Sequence, residues 1–260
     1  MFPLLSLTGL FACTNQYNID GNSSIAGLDG QKLYLRMTVD GVTRNVCLDS
    51  CEVVHGCFNF GGAVDSVAMV ELYMGNYPMM PVVLEHGELF VQMDNTQQSV
   101  SGGPLNDRLN TFLCKHSRLE NELWDIDRRA RNMIYEGKSL EQIVLTLDPI
   151  RNNLISNMQQ LETKFVKDNY DNALGPGYFI RLCDKMSDAA APNDQIRDIL
   201  EDAPTEFLNH PYVRHYLHLY GATPEMIQQD NFNRKARAIV NDSTMSDRKK
   251  VKALKQLTNK

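Results

Sequence analysis

The sequence predicts an α+β protein, with an N-terminal antiparallel β-sandwich followed by an all-helical C-terminal domain. Three observations carry this: a period of two, recurrent turn signals, and an abrupt change to a helical period. From Tyr17 to about Val100, Leu33, Leu35, Met37 and Val39 alternate with Tyr34, Arg36, Thr38 and Asp40. CFNF at 57–60 and LFVQM at 89–93 follow the same pattern. Successive side chains of a strand point to opposite faces, so such runs are half-buried strands. The pairs Asp29 with Gly30, Asp40 with Gly41, His55 with Gly56 and His86 with Gly87 recur between them. They supply the positive-φ residues that hairpin links require, and several short strands so punctuated predict a small sandwich.

The pattern changes after SGGP at 101–104. Leu105, Leu109, Phe112, His116, Leu119, Leu123, Ile126, Ala130 and Met133 recur at alternating steps of four and three, which places them on one face of a long helix. Gly137 ends it, and Ser139 with Gln142 has the spacing of a capping box for the next helix. Asp148 with Pro149 resembles an N-cap and first-turn pair, so 139–167 is either two helices or one with a kink. Further helices are expected near 176–187, 194–202 and 211–220. Thr223 with Pro224 starts another, and Ser246 with Asp247 caps a final one. The expected organisation is a signal peptide at 1–12, a sandwich at 13–103 and a helical domain at 104–260 with a basic C-terminal helix.

A chain of 260 residues with 43% hydrophobic content has room for two modest domains and a substantial core. Its net charge of −6 is unevenly placed. Residues 231–260 carry nine Lys or Arg against two Asp, a total of +7 that leaves the remainder at −13. An acidic body argues against nucleic acid as a partner. The basic tail, from Arg234 to Lys260, reads either as a solvated helical end or as a contact for an acidic partner or anionic headgroups.

The N-terminal run MFPLLSLTGLFAC is followed at once by polar TNQYN. At about a dozen residues it is too short for the ~20 that span a bilayer, but it has the size of a signal-peptide core. The stop at Leu10, Phe11, Ala12 and Cys13 reads as a bacterial lipoprotein signal, making Cys13 the expected lipidation site and first mature residue. No Lys or Arg precedes it, so the competing reading is an apolar strand ending in a buried cysteine.

In order along the chain, YNIDG at 17–21, GLDGQKLYL at 27–35, DSCEVVHGCFNFGG at 49–62, VVLEHGELFVQMD at 82–94 and SVSGGPLNDRLNTF at 99–112 resemble a known domain. It is the domain of unknown function at the N-terminus of many Bacteroidota lipoproteins, often followed by a helical region and a thioredoxin-like thiol:disulfide oxidoreductase domain. FVKDNYDNALGPGYFIRL at 165–182 is similar to the segment preceding the thioredoxin domain in those proteins. A thioredoxin-like domain needs roughly a hundred further residues and a CxxC pair, which this sequence does not supply. The resemblance therefore implies an exported, lipid-anchored sandwich packed on helices, with a binding or scaffolding role rather than the redox activity.

Two clusters contain metal-ligating residue types. Cys47, Cys51, His55 and Cys57 include two cysteines at a zinc-like spacing. On an extended strand, however, residues 47 and 51 lie about 13 Å apart. Three readings stand: a metal site, a disulfide within the trio, or ordinary sheet cysteines. With Cys114 and Cys183, five cysteines remain beside Cys13, so at least one thiol stays free unless it pairs between chains. His210, His215 and His218 with Glu206 form the second cluster, beside a stripe of Tyr212, Tyr216 and Tyr220 that reads as a packing face. His116 reads as a satisfied core or boundary residue. Asp125 and Asp127 point to different helical faces, and no GxSxG, HExxH or GxxxxGK[ST] occurs.

The expectation is a non-enzymatic, lipid-anchored binding or scaffold protein of the cell envelope, without cofactor or metal and facing the periplasm. It would hold the membrane through Cys13 and bind a protein, peptide or glycan partner. A carbohydrate-binding sandwich face gains little from the one tryptophan, Trp124, which falls in the helical part. The alternative is an accessory or truncated member of a thiol:disulfide redox system using Cys47, Cys51 or Cys57.

Overall fold

Alternation of apolar and polar residues allows each strand to bury one face, and the chain uses this to build two packed sheets. The computed structural model describes residues 16–39, 44–63, 65–95, 97–184 and 194–258. The strands are β1 (Gln16–Ser23), β2 (Lys32–Val39), β3 (Arg44–Glu52), β4 (Cys57–Ala63), β5 (Ala68–Met74), β6 (Tyr77–Leu84), β7 (Gly87–Met93) and β8 (Gln98–Ser101). The first sheet has the order β4-β1-β7-β8 and the second β3-β2-β5-β6. Ile19, Phe60, Leu89 and Val100 of the first sheet face Leu33, Leu35, Leu72 and Met80 of the second, all close to fully buried.

The α+β architecture agrees with the expectation, but the turns do different work. Gly30, His55 with Gly56, and Gly87 all adopt positive φ. Those at Gly30 and Gly87 do not close hairpins, whereas His55 and Gly56 form a two-residue turn across which Val54 and Cys57 exchange backbone hydrogen bonds at 2.9 and 3.0 Å. Each of the three lies where the chain leaves one sheet for the other. Because β7 arrives from the second sheet by such a corner, its direction is not set by a hairpin with β1, and the two pair in parallel. All other strand pairs are antiparallel. Asp40 and Gly41 lie outside the described residues. At Gly56 a β-carbon would meet the Ser23 carbonyl oxygen at 2.5 Å, so only glycine fits this corner.

The helices are α1 (Pro104–Tyr135), α2 (Leu140–Lys167), α3 (Leu174–Asp184), α4 (Asp194–Glu201), α5 (Thr205–Leu208), α6 (Pro211–Leu219), α7 (Pro224–Asn241) and α8 (Asp247–Thr258). Ser139 and Gln142 form the expected capping box, and Gly137 ends α1 at φ 76°. Of the two readings for 139–167, the single helix holds: α2 runs through Pro149. The donor that proline lacks is offset by burial of Ile143, Leu147 and Leu154 against α1. The short α5 had no sequence signal.

Sandwich and helices share one hydrophobic core, from Tyr17 to Leu217. At the SGGP junction, buried Glu85 accepts from the Leu105 and Asn106 amides at 3.1 and 2.8 Å, capping α1 from the sheet. Fully buried Asn106 bonds both the amide and the carbonyl of Val83, at 2.9 and 2.8 Å, as a neighbouring strand would. On the outer face of the second sheet, Gly177 lets α3 approach Met69, and Arg181 pairs with Glu71. Tyr212 donates to the Thr38 carbonyl at 2.6 Å.

Candidate functional site

Helices pack on the outer face of the second sheet around Met69, Glu71 and Thr38, whereas the outer face of the first carries no helix among the described residues. The polar members of its alternating strands therefore stand on the surface in register. One row reads Asn59, Asp20, Phe90 and Ser101; the next reads Cys57, Asn22, Gln92 and Ser99; a third holds Gly61, Asn18 and Glu88. Directly opposed side chains on one sheet face are within reach of each other. Asn59 donates to Asp20 Oδ1 at 2.7 Å and to Asn18 Oδ1 at 3.0 Å, and Asn18 donates to Glu88 Oε2 at 2.7 Å. This chain of bonds orders four polar side chains across three strands. Beside it a shallow trough of about 620 Å³ is lined by Asp20, Asn22, Phe90, Gln92, Ser99 and Ser101. The Phe90 ring is 52% exposed in the middle of this polar surface. The pattern is legible as the outward half of NIDGN at 18–22 and ELFVQ at 88–92, but which outward residues stand side by side depends on register between distant strands.

Cys13, the expected lipidation site, lies outside the described residues. The three clustered cysteines are kept apart, and the reason is a bulge. Leu35 pairs with Asp49 but Arg36 pairs with Cys47, so Leu48 is an extra residue in β3. Strand phase changes there. Cys51, opposite Leu33, packs toward the core, whereas Cys47, opposite Arg36, faces outward. Cys57 stands on the outer face of the first sheet beside Asn22. All five cysteines among the described residues are free. Burial, with Asp49 nearby, pushes the Cys51 thiol up despite a hydrogen bond from the Asn59 backbone, which makes it a poor thiolate. Among the described residues no three His, Cys, Asp or Glu side chains gather in a way that would hold a metal ion.

Nor do His210, His215 and His218 with Glu206 form a metal-holding group among the described residues. His210 caps α6 by accepting from the Tyr212 amide at 3.3 Å, and burial holds its pKa down. Tyr216 packs edge-on against Phe179, so the tyrosine stripe is a packing face as read. His116 is a buried member of a polar network. Its Nε2 lies 3.0 Å from Glu162 Oε1 and its Nδ1 lies 3.4 Å from Glu120. Tyr178 and Gln195 donate to Glu162 at 3.3 and 3.0 Å. Burial alone would lower the His116 pKa, but its hydrogen bonds to Glu120 and Glu162 outweigh this and hold it up at about 9. Asp125 and Asp127 are tied separately, to Arg128 and Arg151.

Beyond the sandwich, α1 and α2 form a two-helix arm whose inner cluster, Ile126, Ile143, Leu147 and Leu154, is separate from the main core. Trp124, Tyr135, Leu140 and Leu145 are exposed on it. Among the described residues no helix is long and apolar enough to cross a membrane.

Fold and face together define an α+β protein: a β-sandwich with one sheet face open and helices packed against the other sheet. Residues 17–109 match the family model of a domain of unknown function, DUF4369. The match takes in all of the sandwich except Gln16 and extends into α1 as far as buried Leu109, so it includes the Asn106 junction. No curated protein matches the chain.

Proposed function

We propose that this chain is a non-enzymatic binding or scaffold protein of the extracytoplasmic space, tethered to a membrane by a lipid on Cys13. The observation that carries the binding role is the open face of the first sheet, where Asn18, Asp20, Asn59 and Glu88 are held by mutual hydrogen bonds. Groups already ordered lose little freedom when a partner binds, which is how a rigid surface gains affinity. The tether rests on the LFAC stop at 10–13, close before β1 at Gln16. The first turns of α1 run back along β8, with Asn110 at Val100 and Cys114 at Gln97. The arm therefore leaves the sandwich at the end away from Gln16, and a lipid on Cys13 would leave both arm and face clear of the bilayer.

Metabolic labelling with a palmitate analogue tests the tether. Incorporation is expected in the wild-type chain and lost in Cys13→Ser; equal incorporation in both would overturn it.

A further inference from the structure

We propose that the open face of the first sheet binds a neutral glycan lying across its strands. This deepens the binding role proposed above, and it rests on the chemistry of the face.

A pyranose ring presents hydroxyls, each both donor and acceptor, around its edge and a patch of C–H groups on its flat side. The face offers the complement. Asp20 and Glu88 accept, as does Asn59 through Oδ1, its two N–H groups being committed to Asp20 and Asn18; Asn22 and Gln92 both donate and accept, and Ser99 and Ser101 do either. Phe90 stands half exposed between the smaller Asp20 and Ser101, so it offers apolar ring surface to C–H groups. Neighbouring strands are about 4.8 Å apart, so a row of four residues spans about 14 Å, enough for two or three sugar rings in line.

Charge narrows the ligand class. Residues 16–103 carry three Lys or Arg against ten Asp or Glu, and the three rows of this face contain Asp20 and Glu88 but no cation. Such a surface repels phosphate-bearing or carboxylate-bearing polymers. A protein partner fits less well, because the centres of protein interfaces are depleted in charge and enriched in aromatic, Met and Arg side chains. Here the centre holds one aromatic ring among amides, hydroxyls and carboxylates.

Affinity electrophoresis of the full chain carrying Cys13→Ser tests this, using native gels that each contain β-glucan, xylan, mannan, amylopectin or the anionic polymer pectin. Retardation is expected with at least one neutral polysaccharide and not with pectin. Phe90→Ala should weaken it about tenfold, Gln92→Ala should weaken it several-fold, and Trp124→Ala on the arm should leave it unchanged. Unaltered melting temperatures would show that the variants fold; should Phe90→Ala unfold, Gln92→Ala carries the test. No retardation by any neutral gel, equal retardation of the face variants, or binding only to pectin would overturn the proposal. So would concentration-dependent self-association that Phe90→Ala abolishes, which would assign the face to a second copy. Because the measured chain has no acceptor thiol at position 13, a negative result leaves the tether standing, and a failed labelling experiment leaves the glycan result standing.

Discussion

Burying a histidine and a carboxylate at one point has a desolvation cost that only their mutual hydrogen bonds offset. His116 and Glu162 meet this condition between α1 and α2, with Tyr178 and Gln195 completing the bonds. The folded-state pKa of His116, about 9, lies above the ordinary value of 6.5. The charged ring therefore stabilises the fold fully below pH 6.5, and its contribution, at most about 3 kcal/mol, is lost as the pH rises through 9. Thermal melts from pH 6 to pH 10 should show a falling Tm for the wild type and a flatter profile for His116→Gln. Parallel profiles would remove the ring from this account.

Among the elements, the α1–α2 arm is the least secured. Its inner residues form a cluster of their own, and between about residues 120 and 155 the two helices pack mainly on each other. Local opening costs less where few apolar groups are buried. Hydrogen exchange is expected to be faster over 120–134 and 141–152 than in α3 or the central strands β1 and β2. Leu147→Ala, at the middle of the arm cluster, should remove about 3 kcal/mol of local stability and raise exchange there while leaving the sandwich protected. A uniform rise across the chain would instead show that arm and core open together.

For the whole molecule the decisive fact is continuity of the core across the SGGP junction. Asn106 and Leu109 of α1 and Gly177 of α3 complete surfaces that belong to the sandwich. A fragment of residues 14–103 would expose Met69 and Val83 backbone groups to water and leave Glu85 without the helix end it caps. It should therefore bind the dye ANS and lack a cooperative melt, whereas the full chain melts cooperatively. A sharp transition in the fragment would contradict the shared core. The reach of the domain match to residue 109 accords with this, since α1 supplies its strand-like asparagine just past the last strand.

The strands, the long α1 and the Ser139 capping box were legible because local periods and caps depend on neighbours a few residues away. The Pro149 question was not, because a tertiary contact through Leu147 and Leu154 outweighs a missing donor. Of the three readings for the cysteine trio, that of ordinary sheet cysteines holds, and the reason was not legible: a bulge at Leu48 turns Cys47 and Cys51 to opposite faces. The sequence by itself determined which residues alternate, where glycine must turn the chain and where helices begin. The tertiary structure decided that three of those turns join different sheets, that β1 and β7 run parallel, and that helices pack against one sheet and leave the face of the other open. Register across strands is set by packing between distant segments, so only in the folded chain do Asn59, Asp20, Phe90 and Ser101 become a single row.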